Sequence, residues 1–363
     1  MSPADMCRKT YAEGRTNAPS AAVCRKTYAT DVPIRGCVSG YQWAASCGTL
    51  THVEIWNGIP LRPLAGGYSG ETFLVGDEAA DQVVLRIYQR QPERAEVDAA
   101  LLRLLDGVLP VPAVLETRPL VDDQPAVVVT SLLPGTRLDL VLASAAPKLR
   151  VVIGHQLGRV LARLSGIPMP GFGMFAGADL RLSTDGIPAG GLAEWAESHR
   201  DGGRLAAWQE HDWQRLRALV DGAETLLDGD CDGDAALNRR VLVHSDFNPK
   251  NILVDTESGD VTGILDWEFA HAGSPYADLG NLTRFERHPD FVEAVVSTFV
   301  EHAPVLVDEP LALSRAADLW ALVELAGGVA SNAVRELATT LLRAQARAGD
   351  LHAWPWETPR VDP

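Results

Sequence analysis

Residues 241–269 of this 363-residue chain read VLVHSDFNPKNILVDTESGDVTGILDWEF. Three short apolar runs of strand type lie in this stretch, at residues 241–243, 252–254 and 261–265. Between the second and third runs, Glu-Ser-Gly-Asp at residues 257–260 predicts the turn of a hairpin. Such a hairpin would bring Asn251 and Asp266 to the same end of the strand pair, and Asp246 precedes Asn251 by five residues.

This grouping of two carboxylates and an amide suits phosphoryl transfer from a nucleotide. Magnesium accompanies the triphosphate and prefers oxygen ligands, so Asn251 and Asp266 are candidate metal ligands. Asp246 is then the separate carboxylate that orients the attacking hydroxyl and accepts its proton. Protein kinases carry H-R-D-x-x-x-x-N followed by D-F-G. Here the corresponding segments read H-S-D-x-x-x-x-N at 244–251 and D-W-E at 266–268.

These segments, together with HAGSPYADLG at residues 271–280, resemble the aminoglycoside phosphotransferase family. That family is kinase-like and includes antibiotic kinases and kinases of small metabolic alcohols. The resemblance implies an α+β, bilobal, protein-kinase-like fold, with a small β-rich N-lobe (residues 53–130) and a larger helical C-lobe (residues 131–363). It also implies ATP or GTP and magnesium as cofactors. His244 and Asp278 would support the catalytic loop, with Asp278 accepting a hydrogen bond from His244. The plainer alternative is a buried His–Asp pair that only ties a turn together.

The predicted N-lobe carries a Gly-rich turn, AGGYSG at residues 65–70, between two strand-like segments. Through Gly67, Ser69 and Gly70 the backbone could approach phosphates closely. The spacing is not G-x-G-x-x-G, so a simple hairpin remains the alternative. The next strand, residues 83–88, carries Arg86 where kinases place a phosphate-holding Lys. Arginine can bind phosphate bidentately but is not equivalent to lysine.

A helix is predicted over about residues 93–105, because apolar residues recur there at helical spacing. In the resemblance, Asp98 on this helix pairs with Arg86; Glu96 is the second choice, and a solvated helix charge is the plain alternative. The strand at residues 125–130 leads to the hinge, where backbone groups of Ser131 and Leu132 would meet the adenine.

The C-terminal part reads as mainly helical. Residues 149–164 form an apolar stripe of helical period, and further helices are predicted near 289–302, 310–328 and 332–348. Residues 168–177 are rich in Gly and Pro and predict a loop. Trp195, Trp208 and Trp213 lie among acidic residues; they either pack between helices or, as the resemblance implies, help to form the acceptor wall.

The first 52 residues differ from the rest of the chain. The hexapeptide CRKTYA occurs twice, at 7–12 and 24–29, which is too few copies for a repeat fold. Four of the five cysteines lie in this segment at spacings that match no zinc motif, which predicts free thiols. We predict a weakly ordered extension; a tethering arm, or a start codon placed too early, are the alternatives.

The formal net charge of -16 argues against nucleic acid as the main partner. Residues 1–50 carry +3, so the remainder carries -19. This acidity is either a solvated surface or an acidic cleft for a cationic substrate. The sequence contains neither an apolar run of about 18 residues nor a secretory signal, so we expect a cytoplasmic protein without a membrane partner.

The sequence therefore predicts an enzyme that moves the γ-phosphoryl group of ATP or GTP to a small-molecule hydroxyl. The resemblance and the charge favour a cationic antibiotic of aminoglycoside or macrolide type. A metabolite kinase for a small alcohol or sugar derivative is the first alternative. A catalytically silent kinase-fold binding module is the second, favoured by Arg86 and disfavoured by the intact set of Asp246, Asn251 and Asp266.

Overall fold

The computed structural model describes residues 54–56, 59–64, 71–76, 82–89, 91–121, 124–185, 187, 190–228, 239–304, 309–329 and 332–356. The predicted extension over residues 1–52 lies outside this set. So does the Gly-rich turn with Gly67, Ser69 and Gly70. Within the described part, none of the helices combines the length and apolar character that a membrane crossing requires.

An antiparallel six-stranded sheet forms the N-terminal part. Its strands, in spatial order, are β1 (Glu54–Trp56), β2 (Ile59–Pro63), β3 (Glu71–Val75), β4 (Val83–Tyr88), β6 (Ala126–Ser131) and β5 (Val114–Arg118). One face of β4 and β6 buries Leu85, Ile87 and Val127 in an apolar cluster with the neighbouring strands. The opposite face packs against α1 (Arg94–Leu105), the helix predicted after β4. Successive side chains of a strand point to opposite faces, so these Val-rich strands present apolar side chains on both faces of the sheet, and both faces are buried.

The remaining chain is mostly helical, as predicted. Its helices are α2 (Leu138–Leu142), α3 (Pro147–Leu164), α4 (Gly191–Ser198), α5 (Glu210–Asp228), α6 (Ala277–Leu282), α7 (Pro289–His302), α8 (Pro310–Gly327) and α9 (Ala333–Ala348). The three predicted C-terminal helices agree with α7, α8 and α9 to within one residue at each end. Helices α3 and α7 approach closely at Gly154 and Gly158, where a Cβ atom would collide with the main chain of α7.

The mostly helical part also contains two small antiparallel sheets. One contains β12 (Val261–Ile264), β11 (Ile252–Val254) and β7 (Thr136–Arg137). The other contains β10 (Val241–Val243), β13 (His271–Gly273), β8 (Gly173–Ala176) and β9 (Arg181–Ser183). The prediction of a loop over residues 168–177 is therefore wrong for residues 173–176. Those residues form β8 because they pair with β13, almost a hundred residues later.

The hairpin predicted around residues 257–260 is confirmed. β11 and β12 pair antiparallel, with Ile252 opposite Ile264. Asp255 closes the turn by accepting hydrogen bonds from the amides of Glu257 and Ser258, both at 2.8 Å. At the open end, the amide of Leu265 donates to the carbonyl of Asn251 at 2.8 Å, which sets Asp266 beside Asn251.

The tryptophans singled out in the sequence contact other helices. Trp213 is buried in an apolar cluster built by α4, α5, α8 and α9. The indole of Trp195 donates to the carbonyl of Trp320 at 3.0 Å. The guanidinium of Arg343 lies 4.9 Å from the ring of Trp208. These contacts fit the packing alternative, and a contact of any of the three with an acceptor stays a prediction.

Candidate active site

The catalytic loop follows β10, and its hydrogen bonds fix the carboxylate of Asp246. Its Oδ1 accepts a hydrogen bond from the side-chain nitrogen Nδ2 of Asn248 at 2.6 Å, and its Oδ2 accepts one from Nδ2 of Asn251 at 2.7 Å. Burial raises the pKa of Asp246, and the charge of Asp266 adds to the rise, although the hydrogen bond from Asn251 opposes it. The result is an oriented carboxylate that holds a proton better than a solvated one, which suits a general base.

His244 connects this loop to the segment that carries Asp266. Its ring is fully buried, and Nε2 lies 2.9 Å from the carbonyl oxygen of Leu265. Nδ1 accepts from the amide of Asp246 at 3.2 Å. Burial lowers the pKa of His244 to about 4, so the ring is neutral at pH 7. The hydrogen-bond partners then assign the proton to Nε2, which donates to Leu265. One side chain thus sets the distance between Asp246 and Asp266.

Asp278, at the start of α6, fixes the main chain of this loop. Its two carboxylate oxygens accept from the main-chain amides of His244 and Ser245, each at 2.8 Å. The predicted hydrogen bond from His244 is present and is made by the main chain. Ser245 has φ 69°, a conformation uncommon outside glycine, so these bonds hold a backbone that would otherwise relax. Asn281 adds a hydrogen bond from Nδ2 to the carbonyl of Ser245 at 3.1 Å.

Asp266 follows β12 and also has a positive φ, 66°. Its Oδ1 accepts from Nη1 of Arg86 at 2.8 Å. The second terminal nitrogen of Arg86 donates to Glu268. Burial raises the pKa of Glu268 to about 7, and the neighbouring Asp266 charge contributes. Arg86 therefore bridges the two acids of the D-W-E segment and brings β4 to the catalytic elements.

Among the described residues, the predicted pairing of Arg86 with Asp98 takes the form of a longer-range attraction and not of a direct ion pair. Asp98 accepts from the hydroxyl of Tyr88 at 2.8 Å and from Arg94, one helical turn earlier, at 3.2 Å. These partners are nearer because one shares the helix and the other ends the adjoining strand. The second choice, Glu96, is exposed to solvent. Within the described residues, the acids that Arg86 pairs with are Asp266 and Glu268.

A family model for the phosphotransferase enzyme family, APH, matches residues 60–310 of the chain. The chain belongs to this family. Three solved structures share the fold of this phosphotransferase at low identity. The microcompartment-associated aminopropanol kinase is 18% identical, with a TM-score of 0.57, covering 82% of this chain and 95% of its own. A thermostable mutant of aminoglycoside phosphotransferase APH(4)-Ia, in ternary complex with AMP-PNP and hygromycin B, is 19% identical, with a TM-score of 0.54 and coverages of 79% and 92%. ADP-bound APH(2'')-Ib is 16% identical, with a TM-score of 0.51 and coverages of 80% and 94%. The predicted α+β, kinase-like fold is confirmed.

The donor set of the phosphotransferase fits a magnesium ion. Because Nδ2 of Asn251 faces Asp246, its amide oxygen is the atom available to a cation, and Asp266 supplies a carboxylate. Among the described residues there is no group of three or more His, Cys, Asp or Glu side chains arranged around a common point. Magnesium in nucleotide sites commonly takes only one or two protein ligands and completes its shell with phosphate and water oxygens, so two ligands are sufficient.

At the predicted hinge, Ser131 and Leu132 differ in accessibility. The amide of Ser131 donates to the carbonyl of Ala113, and its Oγ accepts from the amide of Ala113, both at 2.9 Å. Leu132 is 40% exposed. Ser131 therefore joins two segments of the phosphotransferase, and Leu132 is the more accessible candidate for contact with a base.

Three residues of the site escaped the sequence analysis. Asn248 orients Asp246, Glu268 shares Arg86 with Asp266, and Arg94 donates to the main-chain carbonyl of Glu268 at 2.6 Å. Asn248 and Glu268 lie inside the quoted stretch, two residues after the catalytic and the metal-binding candidates, so their position was a usable signal. Arg94 carried none, because its partner lies 174 residues away.

Proposed function

We propose that this phosphotransferase moves the γ-phosphoryl group of ATP or GTP to a hydroxyl of a small molecule. The observation that carries the proposal is the hydrogen-bond network that sets Asp246, Asn251 and Asp266 beside one another through His244. Phosphoryl transfer needs a base for the hydroxyl and oxygen ligands for the metal, held at a fixed distance. A turn that needed only local support would not require two buried or half-buried carboxylates at its tip.

In this proposal Asp246 receives the acceptor hydroxyl. The hydrogen bonds from the side-chain amides of Asn248 and Asn251 orient its carboxylate, and its raised pKa suits it to accept the hydroxyl proton. The acceptor oxygen then bonds to the γ-phosphorus while the bond from that phosphorus to the β-phosphate oxygen breaks, and the nucleoside diphosphate leaves. Asn251 and Asp266 hold magnesium, which neutralises the charge of the phosphates when it is bound. Asp278 and His244 position these groups and do not contact the reacting atoms.

Arg86 is the proposed phosphate contact of β4. Its guanidinium already lies between Asp266 and Glu268, next to the proposed metal ligand. A planar guanidinium can bind phosphate oxygens in a bidentate manner, so arginine can serve where other kinases use lysine. Its pairing with the D-W-E segment also supports an active enzyme over a silent binding module, because the cation is in place beside the metal ligands.

The remaining nucleotide contacts are proposed from the sequence pattern. Gly67, Ser69 and Gly70 would approach the phosphates, and Ser131 and Leu132 would meet the base. Asp98 would act indirectly, through Tyr88 at the end of β4. AMP-PNP in one related structure and ADP in another support an adenine nucleotide. We place the lobe boundary after residue 130, next to this hinge.

Two acceptor classes have separate support. The -19 charge of residues 51–363 and the hygromycin B complex of a related enzyme support a cationic antibiotic. The aminopropanol kinase, which matches as well as the antibiotic enzymes do, supports a small metabolite alcohol. Both classes place the same chemistry at Asp246.

The test is phosphoryl transfer by the wild type and by Asp246→Asn, screened across aminoglycosides, macrolides and small hydroxylated metabolites with Mg-ATP and Mg-GTP. We expect turnover on the best acceptor to fall by roughly 10²-fold or more, with nucleotide affinity unchanged. Asp260→Asn makes the same chemical change at an exposed carboxylate in the turn between β11 and β12 and should leave turnover unchanged. Equal turnover by Asp246→Asn would remove Asp246 from the mechanism. A wild type that neither binds nor hydrolyses Mg-nucleotide would favour the silent module.

A further inference from the structure

Three arginines meet where the segment after α6 crosses α8. Arg284 and Arg287 follow α6, and Arg315 lies on α8. Arg284 is 6% exposed and Arg315 is 2% exposed, whereas Arg287 is partly exposed. We call these three residues the arginine cluster. Charged side chains this deeply buried normally have matching partners.

The negative charge at this cluster is too small to balance it. Arg284 donates from Nε and Nη2 to the buried carboxylate of Asp318, at 2.7 to 3.1 Å. That pair accounts for one arginine. Glu324, an exposed residue on the same helix, adds a longer-range attraction to Arg284. For Arg287 and Arg315, the described residues provide no carboxylate within ion-pair distance.

Four nitrogen atoms of the cluster are buried and have no hydrogen-bond partner among the residues that the structure describes. They are Nε and Nη2 of Arg287 and Nε and Nη2 of Arg315. The remaining nitrogen of the Arg315 guanidinium, Nη1, donates to the carbonyl of Thr283 at 2.7 Å. An unpartnered buried donor on a charged group is costly. The same burial lowers the pKa of both arginines. Burial lowers the pKa of Arg315 to about 9, and the charge of Arg287 contributes. Burial likewise lowers the pKa of Arg287 to about 10.

The cluster adjoins the loop that carries Asp246. Asn281, which holds the carbonyl of Ser245, is one helical turn before Arg284. The charge of Arg284 is close enough to lower the pKa of Asp246. Arg287 is the most exposed member of the cluster, and its guanidinium lies 4.6 Å from the ring of Trp354. Arg287 and Trp354 are both partly exposed.

We propose that the arginine cluster binds an anionic group of the acceptor, a carboxylate or a phosphate, and so positions the hydroxyl of that molecule at Asp246. This inference rests on the proposed phosphotransferase function. The guanidinium groups of Arg287 and Arg315 would each supply two N–H donors to the anion, a geometry suited to planar or tetrahedral oxyanions. The acceptor is then a hydroxylated acid, and an acceptor that carries only amines leaves the four donors unpaired.

The first experiment measures anion binding directly, without nucleotide. Inorganic phosphate and malonate are titrated against sodium chloride at equal ionic strength while the melting temperature is recorded. We expect both anions to raise the melting temperature of the wild type by about 5 °C at a concentration a hundredfold above Kd. Arg287→Gln, a change at a partly exposed residue, should abolish this shift. Arg343→Gln should retain it, because Arg343 also stacks on a tryptophan and has a buried unpartnered nitrogen, but lies outside the cluster.

The second experiment separates the acceptor from free phosphate. Hydroxylated acids are compared with their neutral amides as acceptors, and phosphate is tested as a competitor. We expect kcat/KM to favour the acid by about tenfold or more in the wild type, which is the size of effect that one charge-assisted contact gives. In Arg287→Gln the KM for the acid should rise and kcat should change little.

Three results would overturn the proposal: an equal anion shift in wild type and Arg287→Gln, equal use of acids and amides, or stabilising phosphate that does not compete with the acceptor. Failure of the proposed function looks different. In that case the anion shift persists and depends on Arg287, while no acceptor is phosphorylated and no Mg-nucleotide binds.

Discussion

Replacing Asp278 by asparagine tests whether the hydrogen bonds that Asp278 accepts from the catalytic loop stabilise its conformation. The wild-type carboxylate offers one oxygen to the amide of His244 and the other to the amide of Ser245, both at 2.8 Å. Asparagine has a single oxygen, so one of the two donors must face an NH₂ group. The change keeps the size of the side chain and creates no cavity, which limits its effect to the hydrogen bonds.

The magnitude follows from those two bonds. Losing a hydrogen bond to a charged group costs about 1.5–3 kcal/mol, and leaving its donor buried and unpaired costs about 1–3 kcal/mol. The two costs overlap, and removing a buried charge returns part of them; burial raises the pKa of Asp278 to about 7. We therefore expect the free energy of unfolding to fall by roughly 2–3 kcal/mol. For a chain of this size that lowers the melting temperature by roughly 4–8 °C.

The activity should fall as well, because Ser245 would relax from its positive φ and displace Asp246. The assay is a melting curve and a turnover measurement at pH 8, where Asp278 is ionised. We expect kcat to fall about tenfold or more while the Kd of Mg-nucleotide stays constant. Asp179→Asn is the control, since Asp179 makes an exposed ion pair with Arg181 and should change stability by less than about 0.5 kcal/mol. A melting temperature and a kcat equal to the wild type would refute the bracing role of Asp278.

Three further predictions concern the metal site, a titrating acid and helix packing. Asp266→Ala should weaken Mg-nucleotide binding in calorimetry and abolish transfer, and Asn251→Ala should do so more mildly because it removes a neutral ligand; wild-type binding by Asp266→Ala would contradict the assignment. Glu268 has its pKa raised from 4.5 to about 7, so between these values the native state binds more protons than the unfolded chain. The stability of the wild type relative to Glu268→Gln should therefore fall as pH rises through this window and become constant above it, and a difference independent of pH would show that Glu268 titrates normally. In Gly158→Ala the new Cβ would lie 2.6 Å from the carbonyl oxygen of Val295, so urea unfolding should show a loss of about 1–3 kcal/mol unless α3 and α7 can separate freely.

Local patterns predicted the parts of the fold that local interactions determine. The hairpin of residues 252–264 depends on a six-residue turn closed by Asp255. The C-terminal helices depend on apolar spacing, and α7 and α8 also have prolines at their first turns. The spacing of Asp246, Asn251 and Asp266 was predictable for the same reason. Asn251 and Asp266 flank the open end of one hairpin, β11 and β12, and Asp246 lies only five residues before Asn251.

Long-range partners were not predictable from those patterns. Arg86 reaches Asp266, 180 residues later, and nothing near either residue distinguishes this pair from Arg86 with Asp98. Strand β8 looked like a loop because its glycines and prolines are local signals, whereas the strand that it pairs with is distant. The arginine cluster joins residues about thirty positions apart, and each of its arginines alone reads as an ordinary surface charge.

The charge of the whole chain and the charge near Asp246 point to different acceptors. A net charge of -19 over residues 51–363 favours a cation, but exposed charges act over only about 8 Å at physiological ionic strength. A bound ligand therefore responds mainly to the groups next to it, and in the proposed anion site these are Arg287 and Arg315, whose buried Nε and Nη2 atoms have no partner among the described residues. An aminoglycoside, which is a cation, would be attracted by the net negative charge of the chain, but it would leave the donors of Arg287 and Arg315 unpaired. A hydroxylated molecule with both an amine and an acid would satisfy both, and it is the kind of acceptor that the proposed metabolite kinase would take. If the proposed anion site is correct, the cost of the unpaired nitrogens arises at the site itself, where salt screens it little, so the comparison of hydroxylated acids with their amides tests the two acceptor classes against each other.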